Sequence, residues 1–143
     1  MKGFKRITIE TDTNCDTGEF RRILRAILPA INQETYSDTA TAFEEAITNV
    51  IYHAYPDEIG KFKVTMKVYP GSVIEIVVQD WGQGIENIKQ ARKPLFTTGN
   101  ENRSGMGFTI MESFVDKVTV QSQPGKGTRV CLKNKFKEKL SYD

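Results

Sequence analysis

Three short clusters of chemistry-bearing residues lie in a fixed order: Glu45-Ala46-Ile47-Thr48-Asn49, Asp80-Trp81-Gly82-Gln83-Gly84 and Arg103-Ser104-Gly105-Met106-Gly107. Glu45 and Asn49 are four apart, so on a helix their side chains leave the same face. A carboxylate beside an amide oxygen suits a general base next to a magnesium ligand. Magnesium takes one or two oxygens from protein and the rest from phosphate and water. A solvated helix face is the ordinary alternative for such a pair. Asp80 closes an apolar run and is followed by Gly82 and Gly84. A turn that ends a strand would explain this spacing. So would an acceptor for an adenine amino group. An ionised carboxylate only accepts, and the glycines let backbone pass close to a flat base.

Gly105, Met106 and Gly107 stand just before a helical pattern. Unpaired N–H groups and the positive end of a helix dipole make that position an anion site. Thr97, Thr98, Arg103 and Ser104 precede it as candidate donors to phosphate oxygens. Arg103 taken alone reads equally as a surface charge. Thr128 follows a glycine at the start of the last strand. It can reach the adenine side of a pocket, or serve only as a β-former. His53 shares the helix of Glu45 and Asn49 and could lie near the phosphates, but structural packing is the preferred reading.

The elements that must position these groups are legible as periodicities. Ile7 and Ile9 alternate with polar neighbours, predicting a strand over residues 4–10. Phe20, Ile23, Leu24, Ile27, Leu28 and Ile31 form a helical stripe that Pro29 should kink or shorten. Ser37 or Asp38 can cap a second helix running to about Ala54. Its apolar face is Phe43, Ile47, Val50, Ile51 and Ala54, and Tyr55-Pro56-Asp57 ends it. Phe62, Val64, Met66 and Val68 alternate. Pro70-Gly71-Ser72 turns the chain into a nearly continuous apolar strand over residues 73–78, expected at the sheet centre. A short helix over residues 85–92 precedes a loop without periodicity, residues 93–104, read as a mobile lid. A helix over residues 107–115 and a hairpin around Pro124-Gly125-Lys126-Gly127 complete the chain. The expected fold is α+β: a two-layer α/β sandwich with a mixed, mostly antiparallel sheet and helices on one face.

Composition bounds the function. The 143 residues fit a single domain, 1–143. A formal net charge of +2 is too small to argue for nucleic acid. No apolar run is long enough to span a membrane, and the N-terminus lacks the apolar core of a signal peptide. Cys15 and Cys131 are far apart and form no metal-type spacing, so two reduced thiols in a cytoplasmic protein are expected.

The three clusters resemble the boxes of the GHKL (Bergerat-fold) ATPases. That superfamily includes histidine kinases, gyrase-type ATPases and small serine kinases that act as anti-sigma factors. Residues 45–49 fall where its N box lies, 80–84 match its D-x-G-x-G box, and 105–107 its lid glycines. Residues 91–98 and 103–112 are similar to the anti-sigma serine kinases of sporulating bacteria. The resemblance spans residues 37–132.

It implies ATP or ADP with Mg2+ in the site, Glu45 as catalytic base and Asn49 as metal ligand. It implies Asp80, with Gly82 and Gly84, at the adenine, and Thr97, Thr98, Ser104, Gly105, Met106 and Gly107 around the phosphates. Arg103 would act near the γ-phosphate and Thr128 at the base. Arg22, in Phe20-Arg21-Arg22, falls where related proteins hold both a sigma factor and its antagonist. A homodimer, a sigma-factor partner and an anti-anti-sigma protein substrate phosphorylated on serine are also implied. The sequence departs from the pattern at Gly99, where a basic residue is expected, and the lid is slightly short. Two alternatives remain: an ATP-dependent module that sequesters a partner without catalysis, and the catalytic domain of a histidine kinase. The chain's one histidine, His53, lies inside the nucleotide-site helix, which disfavours the latter.

Overall fold

A computed structural model describes residues 5–27, 33–92 and 107–136. Strand β1 (Lys5–Asp12) leads to helices α1 (Gly18–Ile27) and α2 (Gln33–Asn49). The second helix runs without a break into a π-helical turn, Val50–Ala54. Strands β2 (Lys61–Tyr69) and β3 (Val73–Asp80) follow, then a single-turn helix α3 (Ile88–Ala91), α4 (Gly107–Phe114), β4 (Lys117–Gln123) and β5 (Gly127–Lys135).

The strands form one five-stranded sheet in the order β1-β2-β3-β5-β4. All four described pairings are antiparallel, so the sheet expected as mixed has no parallel pair among the described residues. The reason lies in the connections: β2 to β3 and β4 to β5 are tight hairpins, which only antiparallel neighbours permit. Two core rows run straight across the sheet. One is Ile9, Val64, Val78, Val130 and Val120; the other is Ile7, Met66, Ile76, Leu132 and Val118. These alternate residues face the helices; seven of the ten are buried, and Ile7, Ile9 and Val120 towards the two edges are partly buried. The strand expected at the centre, β3, lies between β2 and β5.

The helical layer packs on this face. Phe20 of α1 meets Phe43 of α2 edge to face at 5.6 Å and also lies against Phe62 of β2. The second helix begins at Gln33, four residues before Ser37, so neither expected cap residue caps it. Tyr36 and Ala40 are buried and extend the apolar stripe N-terminally, and that burial outweighs the cap preference. Arg25 stacks over the Tyr36 ring. The helix expected over 85–92 shrinks to Ile88–Ala91, because Asn87 caps it by accepting from the Gln90 N–H at 3.0 Å. Pro29 lies outside the described residues, as do the lid positions.

Candidate nucleotide site

The cleft is built around the segment that follows β3. Asp80 is the last residue of that strand and only 5% exposed. Its Oδ1 accepts from the N–H groups of Gly82 (3.0 Å) and Thr128 (3.2 Å). Burial nonetheless pushes its pKa above the ordinary carboxylate value; the two N–H donors counter part of that rise.

Residues 81–85 are held between two walls. On the helical side the π-helical turn leaves two carbonyls for Gln83. Its backbone N–H donates to Ala54 O at 2.8 Å, and its side-chain amide donates to His53 O. Such turns are rare and gather at functional sites. Gly82 passes so close that a methyl group there would meet Ala54 O at 2.1 Å. Tyr55, just past the turn, accepts from the Trp81 N–H at 2.9 Å and donates to Lys61 O.

On the sheet side, Gly125 N–H donates to Gln83 O (2.7 Å) and Ile85 N–H donates to Ser122 Oγ (2.7 Å). Gly84, at φ +77°, leaves no room for a side chain against Gln123 O. Gly127, at φ +99°, does the same against Asp80 O. The glycines at 82 and 84 therefore serve close approach of backbone to backbone, at Ala54 O and Gln123 O.

Above this floor lies a cleft of about 820 Å³, lined among others by Asn49, His53, Asp80, Gly107 and Thr128. Glu45 and Asn49 share the half-buried face of α2 that points towards the start of α4. A methyl group at Gly107 would lie 3.2 Å from Asn49 Oδ1 and 3.7 Å from Glu45 Oε2. The amino end of α4 thus stands directly over the Glu/Asn pair, where its N–H groups and dipole favour an anion.

The structure therefore brings together Glu45, Asn49, Asp80, Gly82, Gly84, Gly107 and Thr128. Thr97, Thr98, Arg103, Ser104, Gly105 and Met106 lie outside the described residues. Arg22 is elsewhere: it is exposed at the start of α1 and paired with Glu19 (2.6 Å) and, at 3.4 Å, Asp16. The carboxylate of Glu19 raises its pKa. His53, read as a packing residue in preference to one near the phosphates, lines the cleft.

Four residues escaped sequence reasoning: Tyr55, Gln83, Arg92 and Ser122. The guanidinium of Arg92 donates through Nε to Glu112 of α4 at 2.8 Å and through its terminal nitrogen to Val118 O at 3.2 Å. It joins the two described ends that flank residues 93–106. The Gln inside the D-x-G-x-G spacing was the only local signal for any of them.

The chain matches the histidine kinase-like ATPase domain family over residues 10–134. It is 50% identical over 101 residues to the anti-sigma F factor of Thermoanaerobacter sp. (strain X514), covering 69% of each chain. The chain belongs to the anti-sigma F factor family of histidine kinase-like ATPases. The anti-sigma F factor of Clostridium novyi is 45% identical over 106 residues, 73% of each chain.

Among solved structures, the fold is similar to the RsbU and RsbW domains of a Mycobacterium tuberculosis protein. That match has a TM-score of 0.68 at 18% identity and covers 92% of this chain and 32% of that one. It is also similar to the mycobacterial sensor histidine kinase MprB, with a TM-score of 0.60 at 17% identity, covering 93% and 100%. In this anti-sigma F family chain, the ATPase-domain match takes in Arg22, Glu45, Asn49, Asp80 and Thr128. The domain is a nucleotide-binding one, and Asn49, Asp80 and Thr128 converge on the cleft above Asp80, whereas Arg22 lies apart from it.

Proposed function

We propose that this protein is an anti-sigma factor that is also a serine kinase. It binds Mg-ATP, holds a sporulation-type sigma factor as a cytoplasmic homodimer, and phosphorylates a serine of a competing antagonist protein. The observation that carries this reading is the close approach of Gly107 to Glu45 and Asn49, with Asp80 lining the same cleft as Asn49 and Gly107. An adenine seated on Asp80 directs its triphosphate towards the amino end of α4.

The donor set fits a magnesium ion. Asn49 offers an amide oxygen and Glu45 lies one turn away. Among the described residues no cluster of three His, Cys, Asp or Glu would enclose a cation, so ATP oxygens and water complete the shell. When bound, the ion neutralises charge on the β- and γ-phosphates.

Glu45 accepts the proton of the incoming serine hydroxyl. The serine oxygen forms a bond to the γ-phosphorus as the bond to the β,γ-bridging oxygen breaks, and ADP departs. The α4 N–H groups steady the phosphate oxygens, with Gly105, Met106, Thr97, Thr98, Ser104 and Arg103 completing the lid. The new phosphoserine carries about −1.5 to −2 charge, which repels the antagonist from its docking surface and leaves the sigma factor bound. Arg22, exposed and pre-oriented by its acidic neighbours, is assigned to that shared surface.

The test is incubation with γ-labelled ATP, magnesium and a candidate antagonist, then localisation of the label. Label on an antagonist serine with wild type, lost in Glu45→Ala while ATP still binds, supports the reading. An unlabelled antagonist with wild type favours a sequestering module. The histidine-kinase alternative has weaker support, because its structural relatives share only fold-level identity with this chain.

A further inference from the structure

The core-facing rows of β4 and β5 end in a polar pair beside the cleft. Ser122 and Thr128 are directly opposite in register. Ser122 does not line the cleft; Thr128 does. The Ser122 Oγ has three partners: Ile85 N at 2.7 Å, Gly127 O at 2.9 Å and Thr128 Oγ1 at 2.8 Å.

A serine hydroxyl has one hydrogen and two acceptor sites. The Ile85 N–H can only donate, so it fills one acceptor site. The Gly127 carbonyl can only accept, so it takes the serine hydrogen. The remaining acceptor site faces Thr128, whose own hydroxyl hydrogen must therefore point at Ser122. The opposite arrangement leaves Gly127 O facing an oxygen at 2.9 Å with no hydrogen between them. It is the poorer choice.

From this we infer that Ser122 fixes the polarity of the Thr128 hydroxyl and thereby sets the purine specificity of the site. With its hydrogen committed, Thr128 Oγ1 presents only lone pairs to the cleft. The ionised Asp80 carboxylate also only accepts. Two acceptors converging on one end of the cleft suit an exocyclic amine, which donates twice, and oppose a carbonyl at the same ring position. The inference rests on the adenine reading of Asp80 and deepens it. Ser122 is a positioning residue: it acts through Thr128 and the backbone of Gly127 and Ile85.

The test compares ATP with inosine triphosphate, which has a 6-oxo group in place of the 6-amino group and an N1–H in place of the bare N1. Affinities of both nucleotides are measured by calorimetry for wild type, Ser122→Ala, Ser122→Thr and Thr128→Val. Wild type is expected to prefer ATP. Ser122→Ala releases the Thr128 hydroxyl to donate to the 6-oxo group, so the ATP-to-ITP preference falls about three- to tenfold. Ser122→Thr keeps the hydroxyl and the preference. Loss of packing alone would weaken both nucleotides and leave their ratio in place.

Thr128→Val reports on the same assignment even if Ser122→Ala does not fold. It should weaken ATP more than ITP, because the threonine's lone pairs accept from the 6-amino group and offer the 6-oxo group nothing. An unchanged ratio in folded Ser122→Ala, or equal losses for both nucleotides in Thr128→Val, overturns the inference. A wild type without preference for ATP instead sinks the adenine reading beneath it.

Discussion

Gly107 and Asn49 approach so closely across the α2–α4 junction that a single added methyl would sit 3.2 Å from the asparagine Oδ1. That is tight for any Cβ contact, and the neighbour that must yield is the proposed metal ligand. Gly107→Ala should leave the fold intact, since alanine favours helix over glycine. Affinity for Mg-ATP should fall about tenfold, while affinity for ATP in EDTA changes little. Calorimetry with and without magnesium reads the difference; an equal effect in both would remove Asn49 from the metal's coordination.

Asp80 makes a pH-dependent prediction. Desolvation raises its pKa in the folded protein above the ordinary aspartate value of 3.8. The folded state therefore holds the proton more tightly than the unfolded chain. Stability from this group is greatest in acid and declines as pH rises from about 3.8 through the raised folded value. At neutral pH the ionised, buried carboxylate is a cost to folding. Asp80→Asn keeps an oxygen for Gly82 and Thr128 and removes the charge. Its melting temperature should equal or exceed that of wild type at pH 7, with the difference shrinking towards pH 3. ATP binding should fall by at least about tenfold, since with its oxygen held by Gly82 and Thr128 the amide NH2 takes the place of Oδ2 and meets the adenine amine donor to donor. A variant melting lower than wild type at neutral pH and higher in acid would reverse the sign.

The Arg92–Glu112 pair predicts a kinetic effect. Its side chains are 30% and 43% exposed, so its contribution to stability is small, under about 1 kcal/mol. Its position matters more, because it ties the end of α3 to α4 on either side of residues 93–106. Arg92→Ala should barely shift a urea midpoint yet speed nucleotide release severalfold in stopped-flow chase. Unchanged release would confine the pair to a surface role.

Two glycines at positive φ should differ in how much a side chain costs. At Gly127 a Cβ would lie 2.1 Å from Asp80 O, so Gly127→Ala forces the backbone apart and costs about 3 kcal/mol or more. At Gly71, φ is +90° but the surroundings are open, so Gly71→Ala costs about 1 kcal/mol, with ATP affinity intact. Chemical denaturation and calorimetry on both variants check the contrast.

These effects show which parts of the molecule a one-dimensional reading reaches. Alternation in Phe62, Val64, Met66 and Val68 reports a single buried face, and the observed register keeps that face inward. Glu45 and Asn49 were recoverable because four-residue spacing is itself a geometric statement. The start of α2 was not. Ser37 has strong cap preference, but Tyr36 finds a buried place beside Arg25 that only the folded layers create. Gln83, Tyr55, Arg92 and Ser122 bond across separations of 20 to 37 residues. No local pattern marks them, since their partners are mostly backbone groups made available by a π-helical turn or a hairpin.

Trp81 gives the site a practical property. It is the chain's sole tryptophan, half exposed, one residue past Asp80, with its backbone N–H donating to Tyr55 Oη. The molecule thus carries its own fluorophore next in sequence to the cleft-lining Asp80, and emission intensity is expected to follow ligand arrival and departure in real time on unlabelled protein.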